Sequence, residues 1–238
     1  MARNEGRLPD MVPPASDVDQ FLAKLAATPN ARPSSQRGRL IFAMDATASR
    51  QPTWDHAAQI QGEMFLATAA LGGLDLQLCF YRGFGEFKAS RWVSDAQDLV
   101  RLMTSVRCRA GETQIYKVLM HAANETKRRK VNALVFVGDC AEENVDRLGA
   151  LAGELGVHGV PAFMFQEGHD PHAAFAFRQV ARLSGGAYCR FDSDSAGTLK
   201  DLLRAVAVFA AGGRPALQDF ASRSKGEVLQ IAQQMEAR

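Results

Sequence analysis

Several familiar signals are missing from this chain. It has four cysteines, Cys79, Cys108, Cys140 and Cys189, scattered with no CxxC pair. Three of them, Cys79, Cys140 and Cys189, lie in or beside apolar strand-like runs, as free buried thiols in a reducing compartment do. A large charge excess is also missing: the formal net charge is +2, near neutral, which gives no argument for nucleic acid as a partner, and none is expected. The one dense basic run, "KRRK" at 127–130, closes a predicted helix, where cations favour the negative pole of the dipole. The opening "MARNEGRLPDMVPP" has no apolar segment of a secretory signal, and no apolar run is long enough to span a membrane. These absences predict a soluble cytoplasmic protein. No G-x-x-x-x-G-K-[ST] or G-x-G-x-x-G cradle for phosphate is present, so "GFG" at 83–85 reads as a hairpin turn. Ser49 has no evident paired histidine, which argues against a serine nucleophile.

What is present is ordinary globular material. Of 238 residues, 47% are hydrophobic and 23% charged, enough to bury a core without covalent staples. Composition separates three zones. Residues 1–38 hold one amphipathic pattern, "SDVDQFLAKLAAT", with Val18, Phe21, Leu22 and Leu25 on one helical face, and a Pro/Ser-rich linker after it. That helix either packs beside the domain or docks a partner. Residues 212–238 follow Gly212, Gly213 and Pro215 as a polar, helix-like tail that packs or frays.

The middle zone, 39–211, alternates strand and helix. "RLIFAMD", "LDLQLCFYR", "VNALVFVGD", "VPAFMFQ" and "AYCRF" read as strands, and "GFGEFKASRWV" as a turn with an edge strand or irregular piece. Helical spacing fills the segments between them. Ser94 or Asp95 starts one helix, and Asp170 with Pro171 starts another that ends on Gly185 and Gly186. This order predicts an α/β fold: a Rossmann-like, doubly wound, mostly parallel central sheet with helices on both faces.

In such sheets, ligands sit beyond the carboxyl ends of the strands where strand order reverses. In "FAMDATASR" an apolar run ends on Asp45, and hydroxyls follow at Thr47 and Ser49. "VFVGD" ends a later strand on Asp139, and Thr113 in "AGETQIYKVL" sits where a loop enters the helix feeding that strand. With strand order 3-2-1-4-5-6 the two aspartates face one crevice. Carboxylates and hydroxyls without imidazole or thiolate suit Mg²⁺, Mn²⁺ or Ca²⁺ better than zinc. Two carboxylates and three hydroxyls leave a coordination position for an outside carboxylate.

These three parts, "DATAS", "GETQI" and "FVGD", resemble the metal-ion-dependent adhesion site of von Willebrand factor type A (VWA) domains, D-x-S-x-S followed by a Thr and an Asp. The resemblance covers about 39–211. It implies a Rossmann-like fold with Mg²⁺ or Mn²⁺ at the top of the sheet and protein binding in place of catalysis. On that likeness Thr47, Ser49 and Thr113 offer hydroxyls, Asp45 and Asp139 act directly or through water, and a partner's Glu or Asp completes the shell. Cytoplasmic relatives often work with ATPase or chaperone-like assemblies. The sequence departs from the pattern at Thr47 (usually serine), Arg50 (commonly apolar), Glu112 and Cys140 (frequently glycine). Arg50 would either repel a cation or clamp an incoming carboxylate, and Glu112 would either add charge behind the ligands or face water. Two alternatives stand beside the metal-dependent module. One is a metal-free scaffold of the same fold. The other is a Mg²⁺- or Mn²⁺-dependent hydrolase or phosphoryl-transfer enzyme, with Arg50 and Glu112 as its only candidate machinery.

Other residues have plainer readings. His169 and His172 flank Asp170, and helix capping accounts for this stretch better than zinc. His56 and His121 fall within helical patterns, and Trp54 and Trp92 read as core or rim. Tyr81, Arg82 and Phe84 are candidates for a binding rim at the end of the second strand.

Overall fold

A computed structural model describes residues 37–60, 62–192, 196–224 and 226–236. The N-terminal amphipathic pattern lies outside the described residues. Six strands form one sheet in the order β3-β2-β1-β4-β5-β6: β1 (Gly38–Asp45), β2 (Leu74–Arg82), β3 (Glu86–Val93), β4 (Ala133–Gly138), β5 (Ala162–Glu167) and β6 (Tyr188–Phe191). All neighbours run parallel except β2 and β3, which pair antiparallel through the turn at 83–85. The edge segment is therefore a strand, with a register shift in its pairing between Gln77 and Cys79. Its Lys88 and Arg91 give that exposed edge the charge that discourages pairing with another chain.

The strand sequences of β1, β4 and β5 are nearly continuous apolar runs because both faces are covered. Successive side chains point to opposite faces, so Leu40, Phe42 and Met44 join one buried cluster while Ile41 and Ala43 join the other. The first cluster is closed by α1 (Gln51–Ile60), α2 (Gly62–Thr68), α3 (Ala96–Thr104), α7 (Ala196–Ser222) and α8 (Glu227–Glu236). The second is closed by α4 (Ile115–Arg128), α5 (Val145–Val157) and α6 (Pro171–Ser184). Asp95, Asn144 and Asp170 cap α3, α5 and α6 through backbone N–H groups at 2.8, 3.1 and 2.6 Å. Asp170 is thus a cap, and among the described residues no three His, Cys, Asp or Glu groups cluster to hold a metal.

Beyond 211 the chain stays with the domain. Gly213 adopts φ 72°, a left-handed conformation that breaks α7 and redirects it ahead of Pro215. The redirected turns bury Leu217 and Ala221, and α8 buries Val228, Ile231 and Met235 against the same cluster. Apolar residues at helical spacing, hidden among polar ones, are what hold this segment down.

Phe136 of β4 sits at the centre of the second cluster, stacked on Tyr81 at 6.2 Å and edge-on to Phe177 at 5.3 Å. Phe136→Ala should lower the urea-unfolding free energy by about 3–5 kcal/mol with an unchanged denaturant slope. A loss below about 1 kcal/mol would mean this ring does not anchor the core.

Candidate metal centre

The order reversal lies between β1 and β4, whose register pairs Met44 with Val137. Asp45 therefore ends β1 beside Gly138, and Asp139 follows one residue on. The crevice of the sheet opens between these two carboxylates.

Asp45 is 1% exposed. Its Oδ1 accepts the Thr47 N–H at 2.7 Å, a local turn that bends the chain off the strand. A short 3₁₀ turn, Ala48–Arg50, follows. It leaves Ser49 exposed, with its hydroxyl donating to Asp139 Oδ2 at 3.3 Å, and turns Arg50 inward. The other oxygen of Asp45, Oδ2, is buried with no hydrogen-bond partner. The buried Tyr81 hydroxyl, also without a partner at hydrogen-bond distance, is the neighbouring donor: burial, the Asp45 charge and its interaction with the Asp45 carboxylate push its ionisation well above the usual range.

Burial raises the Asp45 carboxyl to about 6; the Thr47 N–H opposes the shift, Asp139 adds to it and Arg50 opposes it. A buried, half-satisfied carboxylate is where a cation would be most welcome, since an unmet buried acceptor carries its full desolvation cost.

Arg50 already brings one positive charge. It is 2% exposed, ion-paired through Nη2 with Glu167 at the end of β5, and its Nη1 lies 3.8 Å from Asp139 Oδ2. Thr53 of α1 donates its hydroxyl to the same Glu167 carboxylate. Arg50 thus binds a carboxylate, but one belonging to this chain. Glu167 was missed because nothing local in "AFMFQE" marks its partner. The one available signal was that β5 also ends on a carboxylate at the reversal side of the sheet.

Thr113 stands on the adjoining loop, and its hydroxyl is engaged there. It donates to Glu143 at 2.7 Å and accepts the Glu142 N–H at 2.9 Å. Glu142 takes the Thr113 N–H at 2.8 Å, and Glu143 takes the Tyr116 N–H at 3.0 Å, so both acids serve the start of α4. Sequence reading passed over Glu142 and Glu143. Glu112 faces solvent. Gly111 before it is dictated by close approach: a Cβ there would lie 2.2 Å from the Gly83 carbonyl oxygen, so this loop and the β2–β3 turn are pressed together.

The structure thus brings together Asp45, Ser49 and Asp139, places Thr47 on the connecting turn, and holds Thr113 against Glu142 and Glu143. The donors are oxygen only, with one orphaned anionic atom among them. They fit a hard divalent ion.

No protein-family model matches the chain, and no curated protein matches it. Solved structures do. The VWA domain of SpRpn10 superposes with a TM-score of 0.55 at 13% identity, over 70% of this chain and 94% of that one. The fold is that of a von Willebrand factor type A domain. Proximal thread matrix protein 1 of the mussel byssus, solved with a zinc-occupied MIDAS motif, superposes at 0.56 with 13% identity. The match covers 72% of this chain and 46% of that protein, so this chain spans under half of its length. An aerotolerance-related membrane protein from Bacteroides fragilis superposes at 0.55 with 15% identity, over 70% of this chain and 96% of that one.

The buried carboxyl makes stability pH-dependent. Its folded value of about 6 exceeds the ordinary 3.8. The native state then holds the proton more tightly than the unfolded chain does, and stability falls as pH rises from about 4 through 6. Asp45→Asn keeps the Thr47 acceptor and removes the charge. In chelator it should stabilise the protein by about 1–3 kcal/mol at pH 7.5, and the gain should vanish near pH 4. Denaturant melts of both proteins at the two pH values check this; equal stability at pH 7.5 would contradict it.

Proposed function

We propose that this VWA domain is a cytoplasmic protein-interaction module that binds Mg²⁺ or Mn²⁺, with Ca²⁺ as a third candidate, and through it a partner's aspartate or glutamate. The observation that carries this reading is the unpaired, buried Asp45 Oδ2 beside the Ser49–Asp139 pair. Asp45, Ser49 and Asp139 would hold the ion, with Thr47 and Thr113 as further donors. A bound divalent ion supplies a Lewis-acidic position for an incoming carboxylate. The chain's own part is to bury Asp45, aim Ser49 and Asp139 at the same point, and gather charge. Asp45, Asp139, Glu142, Glu143 and Glu167 gather at and beside this rim, with the Arg50 guanidinium buried between Asp139 and Glu167. The metal found in the mussel protein's MIDAS supports a divalent ion on this fold. No helix among the described residues is long and apolar enough to cross a membrane. An ATPase or chaperone-like assembly presenting an acidic side chain is the partner class that completes the proposal.

A second reading has its own observation. Arg50, buried and paired with Glu167, supplies a fixed cation, so the domain would be a metal-free scaffold in which the guanidinium neutralises the rim. An enzymatic reading has less to stand on. Its two candidate groups are Arg50, occupied by Glu167, and Glu112, which faces solvent. The nearby Cys108 thiol is pushed up to about 11, chiefly by burial, which opposes thiolate formation.

Thermal melts with Mg²⁺ or Mn²⁺ separate the two main readings. At a free ion concentration of 100 Kd the native state should gain about 2.7 kcal/mol, and the melting point should rise accordingly. Asp45→Asn and Asp139→Ala should abolish the rise, and Arg50→Gln should enlarge it at a given ion concentration by removing the internal competitor. No rise in wild type or Arg50→Gln would establish the metal-free scaffold.

A further inference from the structure

A second surface lies away from the rim, along the outer strand β6. In the pairing with β5, the Met164 N–H donates to the Ala187 carbonyl and the Gly168 N–H to the Phe191 carbonyl, at 2.9 and 3.1 Å. Alternation then turns the backbone of Tyr188 outward. There it meets Gln234 of α8, not a strand. Gln234 Oε1 accepts the Tyr188 N–H at 2.9 Å, and Gln234 Nε2 donates to the Tyr188 carbonyl at 2.9 Å. One side-chain amide thus makes the donor–acceptor pair that a neighbouring strand would make. Arg190, two residues on, presents its backbone on the same outer side, where its carbonyl receives the Cys189 thiol at 3.5 Å.

Beside this edge runs an open groove of about 600 Å³, lined by Arg178, Arg182 and Arg190 with Tyr188, Gln234 and Glu227. All three arginines are solvent-exposed at their side chains. Arg178 lies over the Tyr188 ring at 4.8 Å, and Arg182 donates to Gln179 at 2.9 Å. Among the described lining residues, these three guanidiniums stand with one carboxylate, Glu227. The volume exceeds what a single small anion fills, and its floor is a strand edge.

The geometry points to a docking site for an acidic, extended polypeptide segment of a partner. That segment pairs its backbone with β6 in place of the Gln234 amide and sets its carboxylates against Arg178, Arg182 and Arg190. Backbone pairing supplies affinity without sequence preference, and the arginines supply the preference for acid. This site stands independently of the cation site on the rim.

The test titrates the full chain, in chelator, with a fluorescein-labelled peptide of alternating glutamate and valine, and follows anisotropy. A lysine–valine peptide, an N-methylated version of the acidic peptide and inorganic phosphate are the other probes. The acidic peptide should bind, the lysine peptide should not, and added salt should weaken binding. N-methylation should weaken it by about tenfold or more, because the strand-pairing donors are gone. Arg190→Glu and Arg182→Glu, both on exposed side chains, should each weaken it by roughly tenfold, while Gln234→Ala should tighten it. Equal binding of the acidic and lysine peptides, or none, would overturn the site. Indifference to N-methylation, or full competition by millimolar phosphate, would overturn strand pairing by showing a plain anion groove.

Discussion

A carboxylate buried at the end of the central strand organises one whole edge of this domain. Doubly wound topology forces β1 and β4 together where the strand order reverses, and both strands are followed or ended by an aspartate. Asp45 has almost no contact with water, and one of its two oxygens has no donor at hydrogen-bond distance, the Tyr81 hydroxyl being the neighbouring candidate. A group raised from 3.8 to about 6 represents about 3 kcal/mol of unfavourable ionisation at neutral pH. Packing alone has no use for such a residue; an apolar side chain at the end of an apolar strand would be more stable. The local turn at Thr47, the projection of Ser49 onto Asp139 and the burial of Arg50 all follow from how the chain leaves that carboxylate.

Arg50 is the other half of the problem. Its guanidinium is planar and always charged, and here it bridges the ends of two strands, β4 through Asp139 and β5 through Glu167. A divalent ion between Asp45 and Asp139 would share Asp139 with it, so like-charge repulsion weakens whichever cation arrives second. On the proposed reading, position 50 would therefore set the affinity of the rim without contributing a ligand. Glu167, itself held by the Thr53 hydroxyl, would offset the repulsion by giving the guanidinium an anionic partner of its own. The balance between these two terms is what separates a metal-dependent module from a metal-free one.

The fold was legible because its signals are local and repeated. Apolar runs with carboxylate ends, capping residues such as Asp95 and Asp170, and glycine-closed helices all agree, and agreement across levels is what specifies a topology. The doubly wound α/β sheet followed from them, whereas the likeness to VWA domains rested on the three motifs "DATAS", "GETQI" and "FVGD"; the reversal between β1 and β4 is the strand order that the structure shows. The direction of polar side chains did not follow from such signals. Arg50 read equally well as a repeller or as a clamp for an outside ligand, because its partner lies more than a hundred residues away at Glu167. Thr113 read as one of five converging oxygens, yet Glu142 and Glu143 hold its hydroxyl at the start of α4. Those two acids serve orphan N–H groups, a need visible only once the loop and helix are side by side. The tail past Gly213 was undecided for a similar reason. Its apolar residues are sparse, and their burial depends on a left-handed break that no pattern announces.

Both proposed surfaces select acid, for different physical reasons. On the rim, a partner's carboxylate would approach Asp45, Asp139 and three glutamates, and only a cation among them makes that approach favourable. Along β6 the arginines stand in solvent and need no ion. Exposed guanidinium contacts are screened within about 8–10 Å at ordinary ionic strength, whereas coordination at a buried carboxylate is screened far less. The two sites therefore respond to different variables, the groove to salt and the rim to chelation. A single acidic partner long enough to reach both would gain effective concentration from the first contact toward the second. It would then lose that gain in two separable steps, one on raising salt and one on removing metal.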